Sequence, residues 1–383
     1  MTTDAALTAL PTSRVPDPAD APPLRWGILS TGGIAASMTD ALLKHTSQRV
    51  VAIGSRSPES ARAFADRFGI DRAHGSMEAM LADDEIDVVY IASPHSEHHR
   101  QAMAAMAAGK NVLVEKAFAR NAGEAAEMVA AARAAGVTAM EAMWARFLPQ
   151  ADILRQLLAD GALGEVVTVI ADHGQYFAPD PEFRLFNPDL AGGALLDLGI
   201  YPVSFASMVL GAPTAVTARG SKAFTGVDGQ VSLLLEAGDL AGGAAGDAAG
   251  GAAGDAAGDA AGEAAGDAGR DARGGAQALV NTTLFAATPT TATVSGTVAR
   301  VEISGPFYAP GTLTYLHRDG SRLEFDGGPI RGHEALAYEA AHLAQLISDG
   351  HLESPIMPLD ETMSIMTTLD EARRQLGVVL PGE

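Results

Sequence analysis

LRWGILSTGGIAASM, residues 24–38, decides the fold. Its apolar opening, Leu24 to Leu29, reads as a buried strand. Ser30 to Gly33 make a turn of small residues, and Ile34 to Met38 begin an Ala-rich helical pattern. A strand running through such a turn into a helix is the first half of a parallel-sheet unit. The rhythm repeats downstream: RVVAIGS (49–55), DVVYIAS (87–93), NVLVE (111–115) and VTAMEA (137–142) read as buried strands. Between them lie SPESARAFADRFG (57–69), SEHHRQAMAAMAAG (96–109) and NAGEAAEMVAAARAAG (121–136). Each opens on Ser or Asn and closes on Gly, the cap signals of a helix. Residues 24–143 therefore predict an α/β domain, a doubly wound parallel sheet.

After Trp144 the pattern changes. A helical segment at 151–161 precedes a strand at 165–176, and a second helical segment spans roughly Ala194 to Leu210. Strand-like runs follow at 214–223, 231–237, 278–287, 291–297, 299–305 and 311–318. Residues 144–383 thus predict an α+β domain: a large, mainly antiparallel open sheet with helices on one face. Two more helical patterns close the chain, Glu334 to Ser348 and Asp360 to Leu376. Residues 238–275 are almost wholly Ala, Gly and Asp, and cannot bury a core. They read as a disordered insert at the tip of a hairpin, where added length costs little stability.

The totals exclude several classes. The chain has 383 residues, 47% hydrophobic and 19% charged, a globular profile. Its net charge of −21 disfavours nucleic acid and anionic membranes as partners. The absence of cysteine rules out disulfides, thiolate metal sites and thiol nucleophiles. No apolar run reads as a membrane span of about 20 residues. Residues 1–23 lack the basic start and apolar stretch of a signal peptide, so they read as a disordered leader on a cytoplasmic protein.

Four places carry chemistry. Ser30, Thr31, Gly32, Gly33, Ile34 and Ala35 occupy the six positions of the G-x-G-x-x-G/A dinucleotide fingerprint, with Ser30 where the first glycine stands. The second strand ends in Ser55, Arg56 and Ser57, with no acid to take a ribose 2′-hydroxyl. A guanidinium between two hydroxyls suits a 2′-phosphate, which predicts NADP over NAD. Ser93, Pro94, His95, His98 and His99 follow the strand 87–93. No acid is spaced to complete a metal site with these histidines, so no metal is expected, and His95 and His98 are expected to face cofactor or substrate. Finally Glu115 and Lys116 end a buried strand, where open α/β sheets bind their ligands.

TGGIA, SPHSEHH, EKAFARN, EAMWARFLP and GGALLDLGIYP together resemble the Gfo/Idh/MocA oxidoreductases, over nearly everything from Leu24 onward apart from the insert. The similarity is nearest to the branch of dimeric dihydrodiol dehydrogenase and glucose–fructose oxidoreductase. It implies an NAD(P)-dependent enzyme moving hydride to or from a CH–OH group of a diol, cyclic polyol or sugar. Lys116 matches the lysine of a Glu-Lys-Pro motif beside the nicotinamide, with Ala117 replacing the proline, and Glu115 falls in the same motif. Asp197 and Tyr201 match the second-domain motif, and if the stretch is helical they share one face. Tyr201 is then the proton-transfer residue, its phenol made more acidic by the Lys116 ammonium. Trp144 is expected to wall the substrate pocket together with His95, Arg184 and Tyr201, and Arg146 to reach cofactor or substrate. The resemblance also implies a homodimer formed through the second sheet. Two competing readings share the fold: a non-catalytic sensor of NADP redox state, and a biliverdin-type reductase.

Overall fold

The computed structural model describes residues 6–238 and 275–383. Strand and helix alternate first: β1 (Arg25–Leu29), α1 (Gly33–His45), β2 (Arg49–Gly54), α2 (Pro58–Phe68), β3 (Arg72–His74), α3 (Met77–Leu81), β4 (Val88–Ile91), α4 (His95–Ala107), β5 (Asn111–Glu115), α5 (Ala122–Ala135) and β6 (Ala139–Ala142). The strands form one parallel sheet in the order β3-β2-β1-β4-β5-β6. Order reverses between β1 and β4, and ligands of such sheets bind outside the strand ends at that point. Helices cover both faces, so β4 is buried along its whole length. Each fully buried side chain such as Ile53 or Leu113 contributes about 1.5–3 kcal/mol. Two of the three expected N-caps form: Ser57 Oγ accepts from Ser60 N at 3.1 Å, and Asn121 Oδ1 accepts from Glu124 N at 2.9 Å; α4 instead starts after Pro94, without a side-chain cap from Ser96. The sequence reading missed β3, whose three half-buried residues carry no apolar run.

The second half contains α6 (Pro149–Ala159), β7 (Val166–Gly174), α7 (Ile200–Leu210), β8 (Ala215–Lys222), β9 (Asp228–Glu236), β10 (Gln277–Thr283), β11 (Ala292–Gly296), β12 (Ala299–Ile303), β13 (Leu313–His317) and β14 (Arg322–Phe325). They build an eight-stranded sheet, β14-β13-β12-β11-β7-β10-β9-β8, antiparallel except where β10 runs parallel to β7. β9 and β10 pair as a hairpin, with Glu236 opposite Gln277. The predicted insert, 238–275, lies outside the described residues except for its end residues Gly238 and Gly275. β14 also escaped the sequence reading, being a short edge strand with exposed Arg322 and Glu324.

α7 packs on one face of this sheet, against β7 and β10. The stretch Pro188–Leu210 is long and apolar enough to cross a membrane, contrary to the sequence reading, but 89% of its most apolar window is buried inside the protein. The closing helices, α8 (Leu336–Asp349) and α9 (Leu359–Leu376), return to the first domain, α8 on α1 and α9 on α5.

The leader is not disordered where it is described. Leu7, Leu10 and Val15 pack against the core, and Arg14 clasps Asp152 through its backbone N at 2.7 Å and its guanidinium at 3.1 Å. Irregularly spaced apolar residues give no periodic signal, yet an existing surface can still bury them.

Candidate active site

The turn after β1 keeps a glycine conformation without the glycine. Ser30 has φ of 108°, in the left-handed region, where the first fingerprint glycine stands. A Cβ added at Gly32 would meet only Ser30 Oγ, at 3.7 Å, and one at Gly33 nothing within 4 Å. The start of α1 is therefore open for phosphate approach, and its first-turn N–H groups face that space. Buried Ala35 allows the helix to pack closely below. Arg56 is exposed at the tip of β2 and has no ion-pair partner among the described residues. Ser55 and Ser57 are partly committed: Ser55 Oγ accepts from Ser57 N at 3.2 Å, and Ser57 caps α2. This cradle and free cation fit a phosphorylated dinucleotide.

Lys116 leaves the end of β5 and crosses to the second half. Its Nζ donates to the Asp197 carbonyl at 2.9 Å and to Asp197 Oδ1 at 3.2 Å, and sits 4.9 Å from the centre of the Tyr201 ring. The Lys116–Ala117 peptide is cis. Around it, His98 lies 2.8 Å from the Ala117 carbonyl and 2.9 Å from that of Ser93, and His95 Nε2 is 3.2 Å from the Lys116 carbonyl. Burial lowers the proton affinity of both rings, that of His95 to about 3, and the two rings brace the loop. Pro94 starts α4 beside them, and Ser93 Oγ bonds Gln101.

Asp197 lies in a wide turn, Leu195–Gly199, that leads into α7. π-helical turns of this kind re-aim side chains and recur at functional sites. Arg184 grips the same carboxylate at 2.9 and 3.2 Å. Burial would push Asp197 up, but the charges of Lys116 and Arg184 outweigh it and hold the group well below the usual carboxylate range. Trp144 Nε1 donates to the Tyr201 hydroxyl at 3.2 Å. Tyr308 stacks on Tyr201 with centres 4.4 Å apart, His173 lies 4.6 Å from Tyr308, and Trp144 stacks with His333 at 5.8 Å. Lys116, Asp197, Tyr201, Trp144 and Arg184 thus meet at one point, with an aromatic wall behind them.

Residues 24–143 match the family described as the oxidoreductase family with NAD-binding Rossmann fold, and residues 152–302 match the GFO/IDH/MocA C-terminal domain. The chain is 36% identical over 369 residues to mouse trans-1,2-dihydrobenzene-1,2-diol dehydrogenase, covering 94% of this chain and 98% of that one. The chain belongs to the Gfo/Idh/MocA family. It is an NAD(P)-binding oxidoreductase of that family. Its fold is also that of an aldose–aldose oxidoreductase from Caulobacter crescentus (TM-score 0.75, 24% identity, 93% of this chain and 98% of that one). A 3-ketoreductase from Actinomadura kijaniata in complex with NADP shares it as well (TM-score 0.72, 24% identity, 92% and 98%).

Four expectations for this Gfo/Idh/MocA site need correction. His98 faces neither cofactor nor substrate: its fully buried ring lies between the carbonyls of Ala117 and Ser93. Arg146 does not face it: the buried guanidinium bonds Ser204 Oγ at 2.9 Å, the Ser204 carbonyl at 2.7 Å and Glu361 at 2.5 Å, clamping α7 to α9. Glu115 turns inward, where it accepts from the Tyr90 hydroxyl and, at 3.2 Å, from Lys116 N. Lys116 does not bring the Tyr201 phenol below its ordinary range: burial, then Glu115, raises its proton affinity well above 10, and the ammonium is engaged by Asp197. Sequence reasoning also missed His173, Tyr308 and His333. Tyr308 sits in the Gly- and Pro-rich stretch GPFYAPG (305–311), between two predicted strands where no element was assigned, and its ring is half-buried in the site.

Proposed function

We propose that the chain is an NADP-preferring dehydrogenase or reductase acting on a CH–OH group of a vicinal diol, cyclic polyol or sugar. The observation that carries this reading is Lys116 Nζ within bonding distance of Asp197 and over the face of Tyr201. A bound nicotinamide would supply or accept the hydride. The chain's own residues handle the proton and the charge. Tyr201, kept protonated by burial, is suited to give its hydroxyl proton to an oxygen becoming an alkoxide, and to take that proton back in the opposite direction. The donor from Trp144 holds the phenol oxygen in place. Lys116 supplies a positive charge where the alkoxide develops. Asp197, pinned by Arg184, fixes the ammonium and gives substrate hydroxyls an acceptor. The flat rings of Trp144 and Tyr308 exclude water from this point. The chain's likeness to the mouse dihydrodiol enzyme supports a diol, and exposed Arg56 supports NADP.

Lys116→Ala and Tyr201→Phe are expected to fold with an unchanged circular dichroism spectrum and to lose about 10²–10⁴-fold in turnover. Near-wild-type rates for both, with a substrate that the parent enzyme turns over, would show the proton assignment to be wrong.

A further inference from the structure

Beneath the Lys116 loop lie three carboxyl groups that the reaction does not use. Glu115 ends β5, Glu141 lies in β6, and Glu339 projects from α8; all three are buried, Glu339 completely. Their partners differ. Both oxygens of Glu115 receive donors, from Tyr90 and from Lys116 N. So do both oxygens of Glu141, from Phe118 N at 3.1 Å and Thr362 Oγ1 at 3.0 Å. Neither oxygen of Glu339 has a hydrogen-bond partner. A buried carboxylate without a donor or cation is strongly disfavoured, so a group in that position keeps its proton.

The charges around it lead to the same conclusion. Glu339 faces Glu115 and Glu141, with Tyr90 adjoining on β4. Lys116 and Asp197 act on Glu115, and Arg146 acts on Glu141. On α8 itself, Tyr338 faces Asp17 and His342 faces Arg155, so neither supplies a cation to Glu339. Glu115, Glu141, Glu339, Asp197 and Glu361 therefore share the cations Lys116, Arg146, Arg155 and Arg184. The carboxyls outnumber the cations, and the surplus is met by protons. Burial places Glu339 well above, and Glu141 at about 7 against, the ordinary carboxyl value.

We propose that Glu115, Glu141 and Glu339 form a buried proton-holding cluster, with a proton resident on Glu339, and that Glu339 is a positioning residue fixing the charge beneath Lys116 and Tyr201. With Glu339 neutral, Glu115 keeps its two donors and anchors the backbone from which Lys116 projects. A charged Glu339 would repel Glu115 from that place. Its bearing on Lys116 and Tyr201 rests on their proposed catalytic role. The protonation itself is measured without substrate or cofactor, so the two can fail separately.

Glu339 stays protonated in the folded chain but ionises when unfolded, so its contribution to stability is full below the ordinary carboxyl range and is lost as pH rises toward its raised value. Glu339→Gln removes that loss. Melting temperatures of the full-length wild type and Glu339→Gln, compared from pH 4.5 to pH 8.5, are expected to diverge in the variant's favour as pH rises, by about 2 °C or more. The slope of the difference decides, whatever its offset. A difference that stays flat, or turns against the variant with rising pH, overturns the proposal. Glu339→Leu, also uncharged, gives the same slope if the Gln variant does not fold. Infrared spectra at pH 8.5 supply the second readout: the carbonyl stretch of a protonated carboxyl is present in wild type and lost in the variant. An unchanged band overturns the assignment to Glu339.

Discussion

Arg56 is the residue on which the proposed NADP preference rests. It stands exposed at the tip of β2, with no acid in the turn to receive a ribose 2′-hydroxyl. A guanidinium there pairs with a 2′-phosphate through charge-assisted hydrogen bonds, each worth about 1.5–3 kcal/mol. Arg56→Ala is expected to weaken NADPH binding about 10-fold to 100-fold in a fluorescence titration and to leave NADH binding nearly unchanged. Equal losses for both cofactors would mean that Arg56 meets a group they share. Arg146 makes the opposite point. The same residue type, just after β6, is consumed by Ser204 and Glu361 and serves the packing of α7 on α9. Nothing in its sequence neighbourhood separates the two arginines. Their partners do.

At the scale of elements, the stretch from Gly192 to Tyr201 places the second-domain residues of the site. A Cβ at Gly192 would come 2.7 Å from the carbonyls of Arg184 and Leu185, so the absent side chain lets the Arg184 loop lie against it. Gly193 has φ of +128°, and a Cβ there would come 2.4 Å from Asp228 Oδ1. The other oxygen of Asp228 accepts from Leu195 N at 2.6 Å and secures the start of the wide turn. Gly193→Ala is therefore expected to lose about 2 kcal/mol or more in denaturant unfolding, and activity along with it as Asp197 shifts. A fully stable, active variant would show that Asp228 does not position this turn. Much of this was legible in the sequence. Apolar runs and Ser, Asn and Gly caps marked five of the six strands of the first sheet and the helices between them except the short α3. The motif residues Lys116, Asp197 and Tyr201 were found, and they meet. The wide turn was not legible, because its pattern of apolar residues is that of any helix. Nor was the direction of Glu115. Strand alternation does not show whether a terminal acid turns toward solvent or toward a buried tyrosine on the neighbouring strand. The raised proton affinity of Tyr201 comes from its burial and from Glu115, which no spacing encodes.

The whole molecule presents one sheet face covered by α7 and an opposite face open. Across the open face, Leu234, Leu279, Ile170 and Thr293 stand in one row, paired neighbour to neighbour from β9 through β10 and β7 to β11. Ile170 is 50% exposed and Leu279 48%. The row carries no charge, although the chain as a whole carries −21. A central apolar row bordered by polar neighbours such as Ser232, Asn281, Thr168 and Ser295 has the build of an interface core and rim. Placing two such faces together removes the row from water, and the bordering charges remain solvated. We therefore expect two copies to pair through this face, with α7, Asp197 and Tyr201 on the far side of the same strands. Light scattering of the wild type is expected to give twice the chain mass. Leu279→Asp, which sets a carboxylate in the middle of the row, is expected to give the mass of one chain at the same concentration. The site lies on the covered face, so the variant's far-ultraviolet circular dichroism should be unchanged. Its melting temperature should fall and should no longer rise with protein concentration, because association stabilises only the folded chain. A monomeric wild type would leave this row as an exposed patch with no role in pairing. A dimeric Leu279→Asp would place the contact elsewhere.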